Sequence, residues 1–435
     1  MRRFFIILLL VVIGVTVALS FYQPPMRLMP TPTVFLNGVP NAFAANPALA
    51  KSNQIELFYA TNRLPVGLRN NRVYAVVPGR DLNLGVTSIR IGDDATTWER
   101  IYEMSINTVP DRRPRLTLQQ MVEMGSISDD ERLSPGIRAW LALVNNAIDR
   151  AADKDIIIYV HGANSTVERA AGQAAQLRHF TGQNSVVLLF AWPTAENFLV
   201  YPRDMVTAFG AAPQLAKLVD LLARHSRAEH IDILSYSAGG TVASDGLARV
   251  GRLARVPGAP SPRLGEIYHA APDADTRGFV DDLRDYAGVP RRVTLSANMG
   301  DVTLRLSQVA NRGSRAGRPD IAELSANQTR FLLDATHRLG LELLRVRPED
   351  FPGLSDRSHS FWYNDPWVSS DVLITFLFHL PPAERGLVSG QVGEATYWAF
   401  PPDYEARLPG VMTRLREGLA DARVAYNREK APVAR

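Results

Sequence analysis

The segment Ile231-Asp232-Ile233-Leu234-Ser235-Tyr236-Ser237-Ala238-Gly239-Gly240 constrains the fold more than any other part of the chain. An apolar strand runs without a spacer into small residues, and a helical pattern begins near Thr241. Such a turn is sharp, and it needs small residues two before and two after its central residue, because larger side chains strike neighbouring backbone. Gly239 meets the second demand, and Ser235 stands at the first, where glycine is commonest. The turn lifts the Ser237 hydroxyl above a sheet and sets it at a helix N-terminus, where backbone N–H groups favour developing negative charge. A small-x-Ser-x-Gly match also occurs in ordinary strand–turn–helix units, so the surroundings decide its meaning.

Those surroundings are an alternation of short buried strands and amphipathic helices. Strands are expected at Ile156 to Val160, Val186 to Phe190, Ile231 to Leu234, Glu266 to His269 and Arg292 to Leu295. Leu215, Leu218, Val219 and Leu222 recur at helical spacing between two of them. This pattern predicts a mostly parallel sheet with helices on both faces over residues 151–380. With 435 residues, 46% of them hydrophobic, the chain can bury a core of that size. Residues 54–150 read as an N-terminal β-rich lobe and helix: strand-like runs at Ile55 to Ala60, Arg72 to Val77 and Val86 to Ile91 precede helical patterning from Arg115 to Asn146. Residues 381–435 read as a C-terminal helical extension, with an amphipathic pattern from Leu408 to Tyr426 and a charged tail.

The N-terminus carries the address. Met1-Arg2-Arg3 precedes an uncharged apolar run from Phe4 to Tyr22, long enough to span a bilayer as a helix. The two arginines should stay in the cytoplasm, which places the rest of the chain outside. Residues 1–22 are therefore a transmembrane anchor, or a signal peptide cut near Ala18-Leu19-Ser20. The expected location is the periplasmic face of an inner membrane, or the periplasm itself if the segment is cleaved. Residues 23–53 hold Pro24, Pro25, Pro30, Pro32, Pro40 and Pro47, a composition read as a linker.

Chemistry is narrowed by what the chain lacks. It has no cysteine, which excludes disulfides, thiolate metal sites and a cysteine nucleophile. Its net charge of +4 comes from scattered arginines rather than a basic stripe, so no nucleic-acid partner is implied. Neither a His-Glu-x-x-His pair, a phosphate loop with lysine, nor a Gly-x-Gly-x-x-Gly turn is present, and no cofactor or metal is implied.

What remains is a serine that needs a base, a base that needs an orienting acid, and donors for an oxyanion, in the chain order Ser, acid, His. The first strand ends in Tyr159-Val160-His161-Gly162-Ala163-Asn164, a turn suited to supplying one oxyanion N–H from Ala163, with the other from Ala238. His161 precedes the serine and reads as a brace for that loop. Two acids follow strand ends, Asp301 in Asn298-Met299-Gly300-Asp301 and Asp273 in Ala271-Pro272-Asp273. Asp301 is preferred, because the acid of this arrangement usually leaves the second strand after the nucleophile. Of the later histidines, His337 and His379 sit in apolar runs and read as structural, whereas His359 lies in the polar loop Asp356-Arg357-Ser358-His359 and is the expected base.

With these residues in hand, the chain resembles a bacterial family of α/β-hydrolases catalogued as domain of unknown function 900. The matching stretches are Leu57 to Arg63, Tyr159 to Asn164, Phe190-Ala191-Trp192-Pro193-Thr194, Tyr201 with Asp204, the Ser237 turn, Ala271-Pro272-Asp273 and His359-Ser360-Phe361. The resemblance implies the α/β-hydrolase fold, the serine nucleophile and the late histidine, and lends no substrate. The family's turn normally has histidine before the serine and methionine after it, where this chain has Tyr236 and Ala238. Thr61, Asn62 and Arg63 raise the expectation that the N-terminal lobe packs beside the sheet and shapes the site. The expected activity is hydrolysis of a carboxylic ester, small or lipid-like. The alternatives are an acyltransferase using the same residues and an inactive membrane-tethered scaffold.

Overall fold

The structure, a computed structural model, describes residues 24–38, 42–46, 48–107, 113–128, 133–347 and 358–408, with a few single positions besides. The apolar run from Phe4 to Tyr22 lies outside the described residues apart from Gly14, as does the charged C-terminal tail. Twelve strands form one sheet among the described residues. They are β1 (Gln54–Leu68), β2 (Asn71–Ile91), β3 (Leu116–Leu118), β4 (Val122–Ile127), β5 (Ile156–Val160), β6 (Val186–Phe190), β7 (Ile231–Tyr236), β8 (Leu264–Ala270), β9 (Arg292–Ala297), β10 (Leu341–Arg345), β11 (Val388–Val392) and β12 (Ala395–Ala399). The order is β11-β12-β10-β9-β8-β7-β5-β6-β1-β2-β3, with β4 also on β2. From β12 to β1 every pairing is parallel, and antiparallel pairs close both edges.

The central strands are buried on both faces, as parallel sheets require. Ile157 and Tyr159 of β5 face one apolar layer, and Ile156, Ile158 and Val160 face the other. The longer helices are α1 (Trp98–Ile106), α2 (Pro135–Arg150), α3 (Val167–Phe180), α4 (Tyr201–His225), α5 (Gly239–Ala254), α6 (Thr276–Tyr286), α7 (Val302–Asn311), α8 (Ala326–Arg338) and α9 (Pro366–Phe378). Helices α2, α4, α5 and α6 supply side chains to one layer, and α3 and α9 to the other. Helix α9 is apolar all round and buried from Trp367 to Phe376, which suits a helix enclosed on every side. Helix α4 is long and apolar enough to cross a membrane, yet Leu215, Leu218, Val219 and Leu222 are buried against the sheet.

Four expectations are corrected by this architecture. The stretch from Arg115 to Asn146 is not helical throughout, since Leu116–Leu118 and Val122–Ile127 pair with β2 as strands and the helix begins at Pro135. The described residues of the proline-rich stretch 23–53 are not a free linker: Met26, Leu28, Met29, Val34 and Phe35 belong to the core. They lie along α3, with Met26 against Gly172, the Met29 N–H donating to Gln176 Oε1 at 2.9 Å, and Phe35 edge-on to Phe180 at 5.6 Å. Prolines prevent a long helix or a central strand here but not burial of the apolar side chains between them. Nor is the β-rich region a separate lobe, since Phe58, Tyr59 and Ala60 of β1 pair in parallel with Leu188, Leu189 and Phe190 and extend the central sheet. Residues 388–399, expected as part of a helical extension, form the β11–β12 hairpin, whose two-residue turn is made possible by Gly393 at φ +59°.

Candidate active site

Strand β7 ends at Tyr236 and α5 begins at Gly239, so Ser237 and Ala238 carry the whole change of direction. Ser237 has φ +54°, a left-handed conformation that costs a non-glycine residue roughly 1–3 kcal/mol and persists only where surroundings enforce it. Enforcement comes from both sides: the Ser237 N–H donates to the Ala270 carbonyl at 3.1 Å, and the Ser237 carbonyl accepts from the N–H of Asp273 and of Gly240, each at 2.8 Å. A Cβ on Gly239 would stand 2.5 Å from the carbonyl oxygens of Val160 and His161, so only glycine fits two residues after the serine. Two residues before it, Ser235 is accommodated because its buried Oγ is bonded to His269 Nδ1 at 2.7 Å.

The loop carrying His359 brings its ring over this turn. His359 Nε2 lies 2.8 Å from Ser237 Oγ, and His359 Nδ1 lies 2.6 Å from Asp301 Oδ2. Asp301 is fully buried at the N-cap of α7, where its other carboxylate oxygen accepts the Leu304 N–H at 2.9 Å. That bond fixes the carboxylate and points its free oxygen at the histidine. The histidine loop is itself pinned by Asn298, whose side-chain amide donates to the Ser358 carbonyl at 2.9 Å.

Asp273 takes a different place. Its carboxylate is paired with Arg315 at 2.5 Å and accepts from the hydroxyls of Tyr201 at 2.5 Å and Ser307 at 2.6 Å. These contacts hold the loop after β8 beneath the turn, with the carboxylate committed to Arg315 rather than to the His359 ring.

On the other side of Ser237 lies the loop after β5. Gly162 faces the serine so closely that a Cβ there would stand 2.9 Å from Ser237 Cβ. Ala163 follows in the cavity wall, and Ala238 is buried at the N-cap of α5. His161 is buried and stacked on Trp192, at 5.4 Å between ring centres and 10° between planes. Burial and the nearby Arg63 guanidinium push it down to about 3, so the ring is neutral. Its Nδ1 bonds the Gly162 carbonyl at 2.8 Å, which braces the loop.

Sequence reasoning gives Arg63 a part in shaping the site only together with Thr61 and Asn62, and the structure shows what its own side chain holds. The side chain is wholly buried and reaches from β1 to the Trp192 carbonyl (3.1 Å), Glu196 (2.8 Å), the Ser165 carbonyl (2.9 Å) and Thr194 Oγ1 (3.1 Å). It ties the loops after β5 and β6 into one wall. Asp204 strengthens that tie by accepting the N–H groups of Asn164 (2.9 Å) and Ala195 (2.6 Å). Both residues stand in the stretches that carried the family resemblance; no periodicity or spacing signals their roles.

Ser237 and His359 open into a cavity of about 580 Å³. Tyr236 and Tyr363 form an aromatic wall beside His359, with the Tyr236 ring 5.3 Å from the imidazole and 5.6 Å from Tyr363. Among the described residues, two groups bring three ligand-type atoms each within 4.8 Å of one another: Asp155 with Glu229 and His230, and Asp155 with Asp232 and His379. Both lie at the opposite end of the sheet, where β5 and β7 begin.

A family model described as an alpha/beta hydrolase of unknown function (DUF900) matches residues 138–342. That segment, just under half of the chain, is similar to that family. The match takes in the sheet from β5 to β9, the Ser237 turn and both candidate acids, and ends before His359. No curated protein matches the chain. One solved structure similar to part of it is phospholipase PlaB from Legionella pneumophila in complex with thio-NAD, at 15% identity and a TM-score of 0.24, covering 44% of this chain and 37% of that one.

Proposed function

We propose that this alpha/beta hydrolase cleaves a carboxylic ester by acyl transfer through Ser237 to water. The observation that carries this reading is the pair of short contacts on one imidazole, 2.8 Å to Ser237 Oγ and 2.6 Å to Asp301 Oδ2. In the first step Ser237 Oγ bonds to the ester carbonyl carbon as His359 Nε2 takes the hydroxyl proton, and Asp301 holds the imidazolium that forms. The oxyanion is met by the N–H groups of Ala163 and Ala238. The carbon–oxygen bond to the alcohol then breaks, and His359 returns the proton to the departing alcohol. Water repeats the sequence: its proton goes to His359, its oxygen bonds to the acyl carbon, and Ser237 Oγ leaves with the proton as the carboxylic acid is released.

The test is labelling of the full chain in mild detergent with a fluorophosphonate, beside Ser237→Ala and His359→Ala. Labelling of the parent that both variants abolish supports the reading. A folded parent that never labels and hydrolyses no ester overturns it, in favour of the scaffold role. Supplying alcohol or amine acceptors and analysing the products separates hydrolysis from acyl transfer to another acceptor.

A further inference from the structure

The core segment of residues 24–38 fixes where the apolar N-terminal run meets the folded body. Along α3 its contacts advance in register: Met26 on Gly172, Met29 on Gln176, Phe35 on Phe180. The segment thus runs from the N-terminal end of α3, which follows the Ala163 loop, toward the far end of the sheet. Its first residue, Pro24, stands in the wall of the cavity that holds Ser237 and His359. The uncharged run Phe4 to Tyr22 ends two residues before Pro24. Nineteen residues at about 1.5 Å each suffice to cross the hydrocarbon core of a bilayer.

The surface around the same cavity is apolar. Helix α7 lies across its mouth, with Thr303, Leu306 and Ala310 in the wall. Outward, Val302, Leu306 and Val309 make a stripe at helical spacing, 36%, 53% and 75% exposed. On the opposite side, Leu199 and Pro202 line the mouth, and Val206, one turn along α4, is 74% exposed. The charges exposed beside these stripes are mostly cationic, Arg203 on α4, Arg305 and Arg312 on and just after α7, and Arg345 and Arg347 beside Val302 and Val309, with the exposed Glu349 paired to Arg347, while Asp204 and Asp301 on the same stretches are buried. An apolar stripe edged with arginines is the composition of a surface that enters the headgroup layer of an anionic bilayer.

We propose that the mouth of the Ser237 cavity rests on the bilayer that Phe4 to Tyr22 spans, and that its ester substrate is an acyl lipid drawn from that bilayer. The lipid substrate rests on the hydrolase reading above; the orientation does not. An acyl chain moving from the bilayer between α4 and α7 would reach Ser237 without crossing water, and hydrolysis would return a free fatty acid and the deacylated lipid to the same surface.

The chain has no cysteine, so single cysteines can carry an environment-sensitive dye without background. The full chain would be reconstituted in vesicles of phosphatidylcholine and phosphatidylglycerol with the dye at Val206→Cys, at Val309→Cys, or at Leu253→Cys. Leu253 is a control of similar character, 57% exposed near the C-terminal end of α5, away from Ser237. The orientation predicts a blue shift and quenching by brominated lipid at positions 206 and 309 and neither at 253. A Val206→Glu, Val309→Glu double variant should release fatty acid from vesicle lipid about tenfold more slowly while keeping the parent's rate on a soluble short-chain ester. Neither side chain lines the Ser237 cavity. If both dyes report water while a fluorophosphonate still labels Ser237, the orientation is overturned and the hydrolase reading stands. If the dyes insert but Ser237 never labels, the lipid-hydrolase half falls and the docked face stands.

Discussion

At the scale of single residues, the two acids near Ser237 can be told apart by what each holds. Asp301 divides its oxygens between the Leu304 N–H and His359, so Asp301→Asn keeps the cap geometry but turns an acceptor into an amide facing the ring. On the proposed mechanism kcat should fall by about 10³- to 10⁴-fold with little change in melting temperature. Asp273→Asn leaves the buried Arg315 without its carboxylate and should cost about 3–5 kcal/mol of stability by urea denaturation. Its kcat per folded molecule should stay within about tenfold of the parent, since no proton moves through it. The reverse pattern would exchange their roles. Gly239→Ala tests the turn itself: the added methyl meets two backbone carbonyls that cannot withdraw, so the variant should lose several kcal/mol and fluorophosphonate labelling together. Much of this was legible in the sequence, because a turn of small residues between strand and helix is a local pattern. The preference for Asp301 over Asp273 rests only on its leaving the second strand after the nucleophile; both follow strand ends, and the cap at Leu304 and the ion pair to Arg315 are the contacts that set them apart.

At the scale of elements, legibility followed the range of the interactions. The strands from Ile156 to Val160 and Val186 to Phe190 are continuous apolar runs and were readable, because burial on both faces leaves no other composition. The segment of residues 24–53 was misread because prolines announce irregular backbone but not where that backbone lies. Its placement depends on Gly172, Gln176 and Phe180, well over a hundred residues away. The energetic consequence can be measured. Phe35 is buried against Phe180, and Phe35→Ala should cost about 3–5 kcal/mol in denaturant unfolding. A chain that starts at Gln54 would expose the α3 face as a whole and should be insoluble or molten. If such a truncation instead unfolds at the parent's temperature, the segment adds nothing to the core. The β11–β12 hairpin was missed for a related reason: Tyr397 and Trp398 are compatible with a short helix, and parallel pairing of β12 on β10 decides for strand.

At the scale of the whole molecule, buried histidines on both faces of the sheet make the stability of this fold depend on pH. His161, His179 and His269 are each fully buried and pushed down to about 3 by desolvation, with Arg63 adding to the effect at His161. Unfolded, each takes up a proton near pH 6.5. The unfolded state therefore binds more protons as pH falls, and stability is lost between about pH 6.5 and pH 3. His379 works in the opposite sense. Burial alone would lower it, but bonds to Asp155 and Glu266 outweigh that and raise it to about 10. Its contribution is complete below pH 6.5 and is lost as pH rises toward 10, because the folded state then gives up a proton that the unfolded chain has already released. Two variants separate the limbs of the resulting profile. His179→Phe removes one proton uptake from the unfolded state and should flatten the acid limb by about 1.4 kcal/mol per pH unit below pH 6. His379→Gln should lower stability at pH 6 and remove the decline above pH 8, so parent and variant converge near pH 10. Urea unfolding at half-unit pH steps would show both effects. Burial raises Asp153 to about 7 and Asp282 and Asp365 to about 6, which opposes the histidines between pH 4 and pH 7, so the test is the difference between parent and variant: differences that stay flat from pH 4 to pH 9 would mean that His179 and His379 titrate alike in the folded and unfolded chains.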